Sequence, residues 1–293
     1  LCLNEATEYV QTRKETETRF MGLSKIMKMA FELVAPSGEL SDAEYTKAQF
    51  YIAIRSIIYK QTLGNAPDTE TMNRHVAEMV EKAITCTGVE NIINADEPEE
   101  LFGEELSKQL DEIKAPISKF HALLKLLKKA IGEYGKGNKI KAMEFDKRLK
   151  AVVDRYNDRD NLVFTSEVVE DFINDLSDSL IDIINDLHED KKSFEKLGIT
   201  FEEKVFYDIL VDVRDRHQFK YEDEKCKILA KKIKELVDEK AEYTDWSVRN
   251  DIKNKMNQDL TVLLYQNGYP PEWDEEVFEQ VMAQAENYKK YQE

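Results

Sequence analysis

Residues 244–273 read TDWSVRNDIKNKMNQDLTVLLYQNGYPPEW, and this stretch decides the fold. Thr244 or Asp245 offers a side-chain oxygen to a free backbone N–H of a first helical turn. Val248, Ile252, Met256, Leu260, Leu263 and Leu264 then recur at spacings of four and three, which places them on one face. Asn250, Lys253, Asn257 and Gln258 face away. Gly268 supplies a left-handed turn, and Pro270-Pro271 block further helix. The pattern predicts a capped amphipathic helix of about 20 residues.

The same period recurs outward from this helix. Lys225–Ala241 precedes it and Glu275–Tyr288 follows it. Thr200-Phe-Glu-Glu203 reads as a capping box leading into Val205–Val213. Ser166–His188 carries Val169, Phe172, Ile173, Leu176, Leu180, Ile183, Ile184 and Leu187. Met143–Tyr156 carries Phe145, Leu149, Val152 and Val153, and Ile117–Ile131 carries Phe120, Leu123, Leu124 and Leu127. Gly132–Asn138 is expected to break the helical pattern, and 94–103, with Pro98, is expected to be a loop. Further upstream, Glu104–Leu110 and Met72–Cys86 read as helices. Ser41-Asp42-Ala43-Glu44 is a second capping box, and the helix after it is apolar nearly all round at Phe50–Ile58, which suits a central position. Glu5–Val34 has a helical period ending at Pro36-Ser37-Gly38. No alternating strand pattern exceeds about five residues. The fold class is therefore all-α, a multi-helix bundle of two helical modules, 1–131 and 132–293.

Composition agrees. The 293 residues contain 10 Gly and 6 Pro, with 34% charged and 42% hydrophobic side chains, a mix that suits helices with one buried face each. No apolar run is long enough to span a membrane. The missing initiator Met predicts a fragment of something longer. Cys2, Cys86 and Cys226 lie far apart with no C-x-x-C, which argues for a reducing, cytoplasmic setting and against a zinc or disulfide framework. The net charge of −17 argues against general nucleic-acid binding while leaving room for a local basic patch.

Tyr265-Gln266-Asn267-Gly268-Tyr269-Pro270-Pro271 closes the long helix behind Asp245-Trp246 and Val248-Arg249. Earlier come Phe50-Tyr51-Ile52-Ala53-Ile54-Arg55, His75-Val76-Ala77-Glu78-Met79-Val80, Phe145-Asp146-Lys147-Arg148-Leu149, Arg155-Tyr156-Asn157-Asp158-Arg159 and Phe206-Tyr207-Asp208. In order and rough spacing these resemble the helical and C-terminal region of the motor (restriction) subunit of type I restriction-modification endonucleases, over about Ala43–Glu286. The resemblance implies a parent that is an ATP-dependent DNA translocase and endonuclease using ATP and Mg²⁺. Its nuclease and motor domains would lie upstream, so no catalytic residue carries over to this chain. It also implies a partner, the methyltransferase core of modification and specificity subunits. The alternative is a stand-alone helical scaffold that binds another protein.

Candidate sites follow from charge and aromatic residues. From Lys114 to Arg155 there are 12 Lys/Arg against 4 Asp/Glu, net +8; from Asp160 to Glu224 there are 7 against 19, net −12. Lys125, Lys128, Lys129, Lys136, Lys139, Lys141, Lys147, Arg148, Lys150 and Arg155 fit either ordinary solvated faces or a surface that tracks double-stranded DNA phosphates weakly and without sequence preference. Arg249, Lys253, Tyr269 and Trp273 are the docking candidates, because the apolar face of their helix is needed for folding. Asp171, Asp175, Asp178, Asp182 and Asp186 form a stripe that does not converge on one point, so a solvated face is the reading there. His75, His121, His188 and His217 stand singly, without H-E-x-x-H, and the glycines at 132–137 lack G-K-[ST]. Neither a catalytic residue, a metal site nor a cofactor is expected in this fragment.

Overall fold

The computed structural model describes residues 3–35, 40–63, 80, 110, 113, 115–161, 166–241 and 249–292. Among them every regular element is helical, as the sequence predicts. In chain order the helices are α1 (Leu3–Gln11), α2 (Lys14–Val34), α3 (Asp42–Leu63), α4 (Pro116–Gly137), α5 (Lys139–Asn157), α6 (Ser166–Leu197), α7 (Phe201–His217), α8 (Asp223–Ala241), α9 (Asn250–Gln266) and α10 (Asp274–Gln292). Short 3₁₀ turns follow α5 (Asp158–Asn161) and α9 (Pro271–Trp273). Apart from Val80 and Leu110, the readings at 72–86, 94–103 and 104–110 lie outside the described residues, as do the stop at 36–38, the cap at 244–245 and Val248. No described helix is long and apolar enough to cross a membrane.

The chain divides into two compact units: Leu1–Lys129 with Arg148–Asn185, and Ala130–Lys147 with Asp186–Glu293. Helices α4, α5 and α6 contribute residues to both.

In the first unit α3 has the central role its composition suggests. Ile52, Ala53 and Ile57 pack with Val80 against Met27 and Phe31, while Ile54 and Ile58 join Val10 against Phe20 and Met21. The Ser41 box is formed, with Ser41 N–H donating to the Glu44 carboxylate at 3.0 Å. The single period over 5–34 is interrupted. Arg13 is extended (φ −123°, ψ 139°) and separates α1 from α2. The apolar residues of α2 do not share one buried face either: Leu23, Ile26, Met29 and Leu33 are exposed, whereas Glu17, Ser24 and Lys28 are buried. Glu17 is inside because it meets a buried arginine, a pairing that local sequence does not reveal.

In the second unit one core joins α7 (Phe206, Ile209, Leu210, Val213), α8 (Cys226, Leu229, Ala230, Ile233, Val237), α9 (Ile252, Met256, Leu260, Leu264) and α10 (Val277, Val281, Met282, Ala285). The capping box at α7 is complete, Thr200 Oγ1 accepting from Glu203 N–H and the Glu203 carboxylate accepting from Thr200 N–H. Gly132–Asn138 does not break the helix as expected. α4 runs through to Gly137, and only Asn138 separates it from α5. Asn138 N–H still donates to Tyr134 O (2.8 Å), and its Oδ1 accepts from Lys141 N–H (3.1 Å), so one residue ends one helix and caps the next. The exposed carbonyls at this end are taken up by α10. Gln284 Nε2 donates to Gly137 O (2.8 Å) while its Oε1 accepts from Lys139 N–H (3.0 Å), and Asn287 Nδ2 donates to Gly135 O (2.9 Å). The glycine at 137 serves close approach: a Cβ there would stand 2.8 Å from Phe201 Cε1.

Candidate interaction surfaces

The C-terminal block is built as its sequence suggests. Ile252, Met256, Leu260 and Leu264 are buried and Leu263 is half-buried. Gly268 takes φ +70°. Its N–H bonds to Tyr265 O (3.0 Å) and the Tyr269 N–H to Leu264 O (3.0 Å), the paired bonds of a Schellman ending. Lys232 Nζ donates to Asn267 Oδ1 (2.8 Å) and Tyr221 Oη to Asn267 O (2.9 Å), so α8 and the chain before it hold the cap.

This geometry removes one docking candidate. Tyr269 is 1% exposed, its hydroxyl donates to Leu210 O at 3.0 Å, and its ring meets Phe219 and Tyr221 edge-on. A tyrosine three residues past a helix end reads as surface from the sequence, but the Schellman turn folds it back under α9. The other three reach the surface to different degrees. Arg249 is exposed and pairs with Asp251 (2.6 Å), holding that carboxyl below its ordinary range. Lys253 is half-buried and pairs with Glu286 (2.7 Å). Trp273 is half-buried and stacks on His217 at 3.5 Å with 13° between the rings. His217 Nε2 in turn meets the Glu276 carboxylate at 2.7 Å, and Arg216 meets its other oxygen at 2.6 Å. The sequence pointed to Trp273 but gave no sign of this sandwich.

The basic residues do not behave as one set. On α4, Lys125, Lys129 and Lys136 lie within about 40° on the wheel, with Lys128 about 60° to one side, so the helix has a single basic face. Lys128, Lys129 and Lys136 are exposed; Lys125 is half-buried, and that burial lowers its affinity for a proton. On α5 the cations split. Lys139, Lys147 and Lys150 share one side, and Lys141, Arg148 and Arg155 the other. Carboxylates engage some of them: Glu133 with Lys136 (2.6 Å), Glu144 with Lys141 (2.8 Å) and Asp175 with Arg155 (2.8 Å). Asp171, Asp175, Asp178, Asp182 and Asp186 are all exposed along α6, and no metal-holding group occurs among the described residues. His188 and His217 are half-buried, while His75 lies outside the described residues.

Two buried polar clusters carry the strongest electrostatics, and neither is marked in the local sequence. In the second unit Lys204 is 1% exposed and pairs with Asp208 (2.5 Å) and Asp190 (3.0 Å). Asn138 Nδ2 donates to Asp208 (2.6 Å) and Tyr134 Oη to Asp190 (2.5 Å). Burial pushes the Asp208 carboxyl up, and Lys204 pulls it back. In the first unit Arg159 is 1% exposed. Its guanidinium donates to Glu17 (2.7 Å), Gln11 O (3.1 Å) and Tyr156 O (2.8 Å) and lies 4.0 Å from the centre of the Tyr156 ring. His121 sits 3.3 Å from both Gln11 Nε2 and Tyr156 Oη, and burial, with Arg159 nearby, lowers it to about 3, so it is neutral at pH 7. Glu8 closes the first turn of α4, accepting from Ile117 N–H (3.0 Å), Ser118 N–H (2.9 Å) and Ser118 Oγ (2.7 Å); burial nevertheless raises its pKa. The available signal was positional. Tyr156, Arg159, Phe206 and Asp208 all stand in the segments that carried the family resemblance.

The described residues Tyr156, Arg159, Phe206 and Asp208 of those segments are thus architectural, and the family comes from comparison with known proteins. The family described as type I restriction enzyme HindI endonuclease subunit-like, C-terminal, matches residues 1–291. The chain belongs to this family. A relative from Methanocaldococcus jannaschii, named for the type I restriction enzyme MjaIXP endonuclease subunit, is 22% identical over 266 residues, 88% of this chain and 24% of its own length. The type I restriction enzyme HindI endonuclease subunit of Haemophilus influenzae is 26% identical over 283 residues, 94% of this chain and 25% of its own. The chain spans about a quarter of the length of the curated relatives it matches. No solved structure matches it.

Proposed function

We propose that this chain is the assembly region of a type I restriction endonuclease subunit. It fastens an ATP- and Mg²⁺-dependent motor to the methyltransferase core of modification and specificity subunits, guides double-stranded DNA weakly, and performs no catalysis of its own. The reading is carried by the C-terminal block of a chain in this family. Its apolar side is taken up by the core of the second unit, while Arg249, Lys253 and one side of Trp273 remain at the surface. An arginine and a tryptophan at the edge of a rigid block have the chemistry of interface anchors.

The double variant Arg249→Ala/Trp273→Ala tests this in the complete subunit. Arg249 is exposed and Trp273 is half-buried against the edge of the core, so the helical signal of the variant is checked before assembly is scored. Co-purification with the modification and specificity subunits should fall at least about tenfold, equivalent to about 1.4 kcal/mol. Undiminished assembly by a folded double variant would remove this surface from the interface.

A further inference from the structure

Helix α2 is apolar on two sides, and the described residues cover only one. Met27 and Phe31 pack toward Ile52, Ala53 and Ile57, and Phe20 and Met21 toward Val10, Ile54 and Ile58. On the other side Leu23 (58% exposed), Ile26 (66%), Met29 (58%) and Leu33 (82%) face out, with exposed Ala30 among them. At about 100° per residue these five fall within an arc of about 120°, along roughly 15 Å of helix. Four of the large apolar side chains exposed in this chain lie on this stripe. Scattered exposed leucines need no explanation, but a contiguous stripe marks an interaction surface, and a helix apolar on both sides belongs inside a larger body.

We propose that the Leu23–Leu33 face of α2 is the seat for another part of the same endonuclease subunit, an apolar surface contributed by the three quarters of its relatives' length that this chain does not span. The proposal rests on the family reading above. Two observations favour this occupant. The matched family is the C-terminal region of a subunit, and both relatives extend over about four times the matched length. The stripe carries no carboxylate within its arc from Leu23 to Leu33, unlike the strongly acidic chain around it, which suits a lasting intramolecular contact better than a transient one.

Thiol labelling tests it. Ile26→Cys and Leu33→Cys, with Leu23→Cys as a second reporter, are placed in a background with Cys2→Ser and Cys86→Ser; Cys226 is buried. All three positions are exposed, so helicity should match the parent. In the 293-residue chain the new thiols should react with a maleimide at the rate of a free thiol. In the complete subunit they should react at least about tenfold more slowly. Equal rates in the two proteins would overturn the proposal. So would protection in the 293-residue chain that grows with its concentration, because the occupant would then be a second copy. Co-purification with the methyltransferase is scored separately, so failure of the assembly reading and failure of this contact give different results.

Discussion

Replacing Lys204 with Met removes the cation from the polar cluster in the second unit and leaves its carboxylates facing one another. The Asp208 side chain is 5% exposed and that of Asp190 21%, so Asp208 suffers most and water reaches Asp190 only in part. Breaking a buried ion pair from one side costs about 3–5 kcal/mol, because the remaining charge has no counterpart. For a unit of this size that is a fall in Tm of roughly 10 °C or more. The pH dependence has a definite sign. Burial raises the Asp208 carboxyl above its ordinary value, and the ammonium of Lys204 is the largest influence that lowers it. Without Lys204 the folded-state pKa climbs further. The folded state then holds a proton that the unfolded state releases, so stability is kept below the unfolded pKa and lost as pH rises through the folded one. The deficit of Lys204→Met should therefore be larger at pH 7 than at pH 5. Lys204→Met/Asp208→Asn, which neutralises the stranded carboxylate, should recover most of it. Urea unfolding followed by circular dichroism and tryptophan emission measures both effects. A loss below about 1 kcal/mol at pH 7, or a deficit independent of pH, would refute the argument.

Two further outcomes follow from the geometry. Gly137→Ala would press a methyl group to 2.8 Å from Phe201 Cε1. The overpacking, about 1–3 kcal/mol, should outweigh the helix-propensity gain of about 1 kcal/mol. Gly132→Ala meets nothing within 4 Å and should stabilise the protein in the same thermal scan. Replacing Lys125, Lys128 and Lys129 on the basic face of α4 with Ala should weaken binding to unrelated duplexes equally and flatten the dependence of log K on log salt by about 0.9 for each phosphate no longer neutralised; unchanged binding in a salt titration would return these residues to the role of solvated faces.

Much of the fold was legible because helices are written locally. The interval of three and four residues from Ile252 to Leu264, the Ser41 and Thr200 boxes and the turn at Gly268 each depend on partners within one or two turns. The end of Tyr269 was not legible, since whether the chain folds back under α9 depends on Leu210, 59 residues away. The glycines of 132–137 misled for the same reason. They read as a break until Gln284 and Asn287 supply the missing hydrogen bonds from about 150 residues downstream.

The sequence by itself determined that this chain is helical, where most of its helices start and stop, and the family to which it belongs, since periodicity, caps and ordered short motifs survive without knowledge of distant contacts. Only the tertiary structure decided which charges are buried and which apolar residues are not. Lys204, Asp208, Glu17 and Arg159 look like surface residues in any local window, and Leu23, Ile26 and Leu33 look like core. Burial is a property of what packs against a helix, and the pairing of Arg159 with Glu17 spans 142 residues. No pattern of neighbours encodes a contact at that separation; it exists once the chain has folded and brought the two groups out of water together.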